Sequence, residues 1–306
     1  MQDITIFDKD IKGGNKMKKY EILKDDFITL YNRELYRIRA LLNFGDVKKG
    51  DLGGYIEKES NLSHRGSCWV YKNAKVCGSA RVFENAKIFD NAEVSDNAIV
   101  YGSAKIYDNG NVYGSAKIYD NVEIYDEVEV YGRAKVYDKA EIYDNAEIYG
   151  NAKVYGNAKA SGKAQIYDNA EVYGDAEVFD EAEVYGNASI HGRSEVYEYA
   201  RVFGNANVYG HSEVCDKAQV YGNAEISFYI CSNKMRINTT FDDIKFFAFI
   251  NARSVTALLV DGKWLFNVGC QNLIDKDTFL DRIYSTDGGL SANPHRQQYL
   301  DILEIF

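Results

Sequence analysis

A chain of 306 residues that is 46% hydrophobic, carries 25 tyrosines and has one proline is globular in composition, which excludes a disordered or collagen-like protein. Its net charge of −10 argues against direct nucleic-acid binding, because nucleic-acid backbones are gripped through Lys/Arg-rich surfaces. There is no apolar run long enough to cross a membrane, and Met1-Gln2-Asp3-Ile4 lacks the basic and apolar blocks of a secretory signal.

These features predict a cytoplasmic protein without a membrane partner. The five cysteines (Cys68, Cys77, Cys215, Cys231, Cys270) make neither a CxxC pair nor an even framework, which fits a reducing compartment and argues against zinc. At the start, Ile11-Lys12-Gly13-Gly14-Asn15-Lys16 before Met17 is compatible with a bacterial ribosome-binding site read through as protein. Residues 1–16 are therefore expected to be leader or disordered. Residues 17–61 read as a small β cap, with a strand at Tyr20-Glu21-Ile22 and a hairpin pairing 27–31 with 35–42 around Asn32-Arg33.

Residues 62–227 carry an internal repeat. Val70, Val76, Val82 and Ile88 stand six apart, and the series continues to Ile226 through 27 positions, of which only Ala160 is neither Val nor Ile. A small residue, usually alanine, lies two positions before each. In an extended chain residues i and i−2 share a face, so alanine and valine point inward together while the Lys, Glu, Arg or Gln between them faces water. Gly or Asp followed by Asn then supplies turn chemistry. Each hexad is one side of a prism, three hexads make a coil, and the 27 hexads make about nine coils. At roughly 4.8 Å per coil the rod is about 43 Å long. A helix is excluded, since six is not a multiple of 3.6 and β-branched residues disfavour it.

Beyond the repeat, residues 228–306 read as a compact α+β capping or interaction module. Phe228-Tyr229-Ile230 starts the cover, and 255–260 and 263–268 form a hairpin around Asp261-Gly262. Residues 277–284 and 297–305 have helical spacing.

The repeat resembles the hexapeptide pattern [LIV]-[GAED]-x-x-[STAV]-x of left-handed β-helix proteins, many of them acyltransferases. Asn43-Phe44-Gly45-Asp46-Val47-Lys48-Lys49-Gly50, Gly53-Gly54-Tyr55-Ile56 and Gly66-Ser67-Cys68-Trp69-Val70-Tyr71 are similar to the N-terminal part of YdcK-like transferases. The fold class is thus an all-β solenoid, and the resemblance implies that this parallel β-helix is left-handed. Asp261-Gly262-Lys263-Trp264, Val268-Gly269-Cys270 and His295-Arg296-Gln297-Gln298-Tyr299 resemble a module that follows such repeats in phage and prophage proteins.

An acyltransferase of this family would bring a histidine base beside a loop extruded from the coil, and acyl-CoA in a groove between subunits. His191 stands where tyrosine is usual and His211 at a corner, and neither has an insertion beside it; they are the weak catalytic candidates. Asp90, Asp108, Asp126 and Asp144 recur once per coil, but aspartate here reads as turn chemistry and no metal site is expected. Cys68 falls at the small inward position, whereas Cys77 and Cys215 replace outward tyrosines.

Aromatic residues remain, stacked along three edges. The first has Tyr71, Phe89, Tyr107, Tyr125 and Tyr143. The second has Tyr113, Tyr131, Tyr149, Tyr167, Tyr185, Phe203 and Tyr221. The third has Phe83, Tyr101, Tyr119, Tyr137, Tyr155, Tyr173 and Tyr209. They read either as corner shielding or as a recognition surface for a protein partner. With 15 Lys/Arg against 26 Asp/Glu in residues 70–227, the repeat carries the whole negative charge. The leading reading is a non-enzymatic binding or scaffold protein without cofactor, directed, if phage-borne, against a host nucleic-acid-binding or defence protein. An acyl-CoA-dependent transferase, which would be a homo-oligomer, and a self-assembling filament are the alternatives.

Overall fold

A computed structural model describes residues 18–227, together with 230–231, 236–237, 244–250, 253–260, 263–268, 271–285 and 296–303. The expected leader at 1–16 lies outside the described residues, as do Phe228, Tyr229, the turn at Asp261-Gly262 and His295.

The repeat forms a parallel β-solenoid of about ten turns. Each hexad contributes a short strand, and strands pair in register with those one coil away, as Lys117 and Ile118 do with Lys135 and Val136. Three faces result. Face 1 carries the strands ending at Val70, Ile88 and onward to Val214; face 2 runs from Val76 to Val220; face 3 runs from Val82 to Ile226. Edges 1, 2 and 3 follow the faces of the same number.

The inward positions form one continuous core. Ala116, Ile118, Ala134, Val136, Ala152 and Val154 are all fully buried, as are the departures Val122, Val128 and Ala160. Two serines replace alanine inside, and each has an acceptor: Ser194 Oγ donates to the His191 carbonyl and Ser212 Oγ to that of Tyr209, both at 2.9 Å. Backbone amides bind coil to coil. Lys117 N donates to Ala134 O (2.9 Å), Tyr119 N to Val136 O (3.1 Å) and the corner Asn121 N to Asp138 O (2.7 Å).

The corners explain the Gly/Asp alternation. The first corner residue has positive φ, between 52° and 62° at Asp90, Asp108, Asp126 and Asp144. At most acidic corners the carboxylate accepts from the backbone N–H of the same corner one coil on: Asp144 Oδ2 from Gly162 N (3.0 Å), Asp138 from Gly156 N (3.1 Å), Asp96 from Gly114 N (3.1 Å). Aspartate thus offsets its backbone strain with a charge-assisted bond between coils. Sequence alone suggested turn chemistry; the carboxylate also serves as a staple.

The N-terminal cap departs from expectation in two ways. The separate strands at 20–22 and 27–31 are one strand, β1 (Tyr20–Leu30), with a register shift between Leu23 and Phe27. It pairs with β2 (Arg33–Ala40) through Tyr31 and Asn32, both at positive φ as a type I′ turn requires. Secondly, β3 (Leu52–Ile56) belongs to face 2, pairing in parallel as Ile56 with Val76, while Leu62 bridges to Val82. The segment 52–70 therefore makes an extra coil with an irregular corner. Tyr20 closes it, its hydroxyl donating to Leu62 O (2.8 Å), its ring stacked on His64 and set edge-on to Trp69.

At the other end the period shortens. Val214 pairs with Ile230 and Val220 with Ile237, so both steps fall slightly short of a regular coil. The C-terminal part contains a four-stranded antiparallel sheet (Ile244–Ile250, Arg253–Val260, Lys263–Val268, Gln271–Asp275), then α1 (Lys276–Tyr284) and α2 (Arg296–Leu303). Ala257, Phe266, Phe279, Ile283, Tyr299 and Leu303 form its core.

The staple makes a prediction that side-chain size alone would reverse. Gly132 has φ +69°, and a Cβ there would lie 2.9 Å from Gly150 N. Gly132→Asp is expected to be more stable than Gly132→Ala by about 1 kcal/mol, because only the carboxylate can accept from that N–H. Urea unfolding midpoints of the two variants measure it.

Candidate interaction surface

Outward side chains fall into columns repeated every coil, so the surface is a set of parallel rows. Edge 2 holds an unbroken row of rings. Centroids are 4.9 Å apart for Tyr113–Tyr131 and Tyr131–Tyr149, 4.8 Å for Tyr149–Tyr167 and Tyr167–Tyr185, and 4.9 and 5.2 Å onward to Phe203 and Tyr221. Edge 3 is equally continuous from Phe83 through Tyr101, Tyr119, Tyr137, Tyr155 and Tyr173. Edge 1 is broken: Tyr125 stacks on Tyr143, but Ser161 interrupts the row before Phe179 and Tyr197. The rows stack as their once-per-coil spacing predicts.

Stacking consumes what a ligand would otherwise use. Interplanar angles along edge 2 from Tyr113 to Tyr185 are 0° to 5°, so both faces of an interior ring are covered by its neighbours. Ring edges and hydroxyls remain. Each ring leans over the face that precedes it, where Tyr113 OH donates to Glu129 (2.9 Å) and Tyr155 OH to Glu171 (3.2 Å). These phenols stay protonated well above their ordinary pKa of 10. Burial is the first cause and neighbouring carboxylates the second: Tyr125, beside Glu141, and Tyr131, beside Glu147, are both pushed up to about 12.

His191 belongs to the edge 3 ladder. Its ring stacks on Tyr173 (4.8 Å) and Tyr209 (5.7 Å), and Nε2 lies 3.0 Å from Asn207 Oδ1. Among the described residues no carboxylate bonds the ring to orient it as a general base. His211 is an exposed corner residue. Among the described histidines, His64 in the cap has the most partners: Nδ1 accepts from Lys19 N (3.2 Å), which sets the tautomer that donates from Nε2 to Glu59 (2.7 Å). Burial lowers its pKa, with the Glu59 carboxylate opposing.

The cysteines need correction. Cys68 is buried as expected, and Lys19 Nζ lies 3.2 Å from its sulfur. Cys77 is not outward: it is 2% exposed under Leu35 and Tyr55 of the cap, and burial pushes its thiol up to about 11. Cys215 is likewise buried and is disulfide-bonded, against the expectation that the cysteines form no framework; the strand register sets Cys231 opposite it.

Charge separates by column. Edge 1 carries Asp90, Asp108, Asp126, Asp144, Asp180, Glu198 and Asp216 at one corner position, with Asp108, Asp126, Asp144 and Asp180 exposed. Among the described residues no group of three or more His, Cys, Asp or Glu side chains has metal-holding geometry. Face 3 carries the opposite sign over consecutive coils at Lys117, Lys135 and Lys153. Sequence reading in hexads missed this row; reading coil by coil finds it. No helix among the described residues is long and apolar enough to cross a membrane.

Replacing Tyr149 by alanine removes two ring stacks and is expected to cost about 1–3 kcal/mol in urea unfolding, whereas Tyr149→Phe costs much less. Since the folded state raises the phenol pKa values, the associated stability is present below pH 10 and is lost as pH rises through about 12 at Tyr125 and Tyr131. Ultraviolet titration should accordingly show ladder tyrosines ionising late, with unfolding midpoints falling over the same range.

No protein-family model matches this chain, and no curated protein matches it by sequence.

Proposed function

We propose that the protein is a non-enzymatic binding protein whose rod engages a basic macromolecular partner, of the kind that ordinarily grips nucleic acid. The observation that carries this reading is the edge 1 carboxylate column, held in register by coil stacking and flanked on face 1 by Glu123, Glu141, Glu177, Glu195 and Glu213. A net −11 over roughly 43 Å is one charge per about 4 Å, close to the 3.4 Å per charge of one DNA strand and under half the density of a duplex. Such a line steers a basic protein while presenting no bases to read. The tyrosine rows fit a supporting part, since their faces are occupied by one another and they hold the neighbouring columns straight. The hexapeptide and phage-module resemblances are consistent with a phage-borne antagonist. The acyl-transfer alternative gains nothing from the surroundings of His191 or His211.

The test uses Asp108→Asn, Asp126→Asn and Asp144→Asn together. Asparagine tolerates the same positive φ, and its oxygen can still accept the staple bond. A protein captured from bacterial lysate by the native rod should be lost on the triple variant and at raised salt. Equal capture by both rods would sink the reading, and binding of acetyl-CoA in calorimetry would favour the transferase instead.

A further inference from the structure

Edge 2 supplies a site of the opposite sign. A groove of about 460 Å³ runs beside the cap along the corners of successive coils, lined by Arg33, Lys58, Ser79, Asp96, Ser115 and Arg133 together with Gly78, Gly114 and Gly132. Its floor is set by the staple pattern. A corner carboxylate accepts from the N–H of the next coil, and within the groove Asp96 does so to Gly114 N at 3.1 Å. At Gly114 that side chain is missing. The position its Cβ would take lies 2.9 Å from Gly132 N, and among the described residues no acceptor bonds that N–H. The same opening occurs at Gly78, whose Cβ position lies 3.0 Å from Asp96 N. The protein's own carboxylates thus show what these N–H groups hold in other coils.

Open corner amides also occur elsewhere, but the residue after Gly204 on edge 2 is Asn205, and Arg193, which follows the open Gly192 amide on edge 3, already pairs with Asp175 at 3.7 Å. In the groove, cations come from two parts of the chain, Arg33 and Lys58 of the cap region and Arg133 of the solenoid. Arg33 already pairs with Glu57 (2.9 Å), whose carboxylate staples Gly78 N (2.6 Å). Lys58 and Arg133 have no ion-pair partner among the described residues, and Asp96 is the one carboxylate lining the groove.

We propose that this groove is an oxyanion site, in which a phosphate or carboxylate group occupies the space left by the side chain absent at Gly114. One oxygen accepts from Gly132 N–H, and the Ser115 hydroxyl and the Arg133 guanidinium reach the same group, while Arg33 and Lys58 stand at the cap end of the groove. Backbone N–H groups beside a cation are the ordinary means of holding such groups. The site lies on edge 2 and is independent of the edge 1 reading.

Amide NMR of the intact protein, titrated separately with inorganic phosphate and with acetate, tests it. The Gly132 amide should shift and saturate in the low-millimolar range or below, more than that of Gly204; tighter phosphate binding would assign a phosphoryl ligand, tighter acetate binding a carboxylate. Gly114→Asp supplies the missing staple and should abolish the Gly132 response, while Gly186→Asp, on the same edge several coils away, should leave it intact. Arg133→Gln, a surface change that spares the fold, should weaken binding roughly tenfold. Equal shifts at Gly132 and Gly204, or unchanged affinity in both Gly114→Asp and Arg133→Gln, would overturn the assignment.

Discussion

Everything in the rod depends on one constraint: each residue sits directly over its counterpart one coil away, held there by backbone bonds such as Lys117 N to Ala134 O. A sheet of this kind buries its inner face completely, so the inward positions must be small and β-branched in alternation. Alanine leaves room where the chain turns, and Val or Ile fills the centre. Ser194 and Ser212 show how narrow the tolerance is, since each buried hydroxyl is accepted only because a carbonyl earlier in the same turn receives it.

Outside, the same registry turns every chemical choice into a row. For aromatic rings this is favourable, because the coil spacing coincides with a comfortable ring-stacking distance, 4.7 Å between Tyr137 and Tyr155. For charges it is costly, since identical signs would repeat at the same short interval. Two devices reduce that cost. Opposite charges follow each other on some columns, as Lys105 with Glu123 and Lys153 with Glu171, pairs exposed enough that each adds little by itself. On the corners, carboxylates turn along the rod and bond the next backbone N–H. Edge 1 is acidic because aspartate there has a structural task, and an acidic line results.

This separates what the sequence makes legible from what it hides. The hexad states inward and outward directions outright, so the core, the ring rows and the coil length follow from period and alternation alone. The two strands of the 255–268 hairpin and both C-terminal helices follow from local pattern too. The coil at 52–70 is hidden because its corner is longer than that of the repeat, so that Ile56 lies under Val76 out of step with the hexads. Cys77 looks outward by alternation, and it is the cap, folding back from far earlier in the chain, that covers it with Leu35 and Tyr55. The staple is hidden for a different reason. Aspartate and glycine are interchangeable as turn formers, so a hexad consensus merges them, although one fills the next coil's amide and the other leaves it open.

That distinction organises the candidate sites by sign. Where acidic corners follow one another, as from Asp108 through Asp126 to Asp144, the amides are occupied and the carboxylates face outward as a negative line. Where glycines follow one another, as from Gly114 through Gly132 to Gly150, the amides are open and the local field is that of bare N–H dipoles. Open amides alone do not make a site, and most of edge 2 is in that state. Beside the cap one groove is lined by Arg33 and Lys58 at one end and Arg133 further along, and Arg33 is brought there by the hairpin that seals the first coils. The cap therefore does more than hide an exposed strand end. It sets one stretch of edge 2 apart from the rest of that edge, which a repeat by itself cannot do.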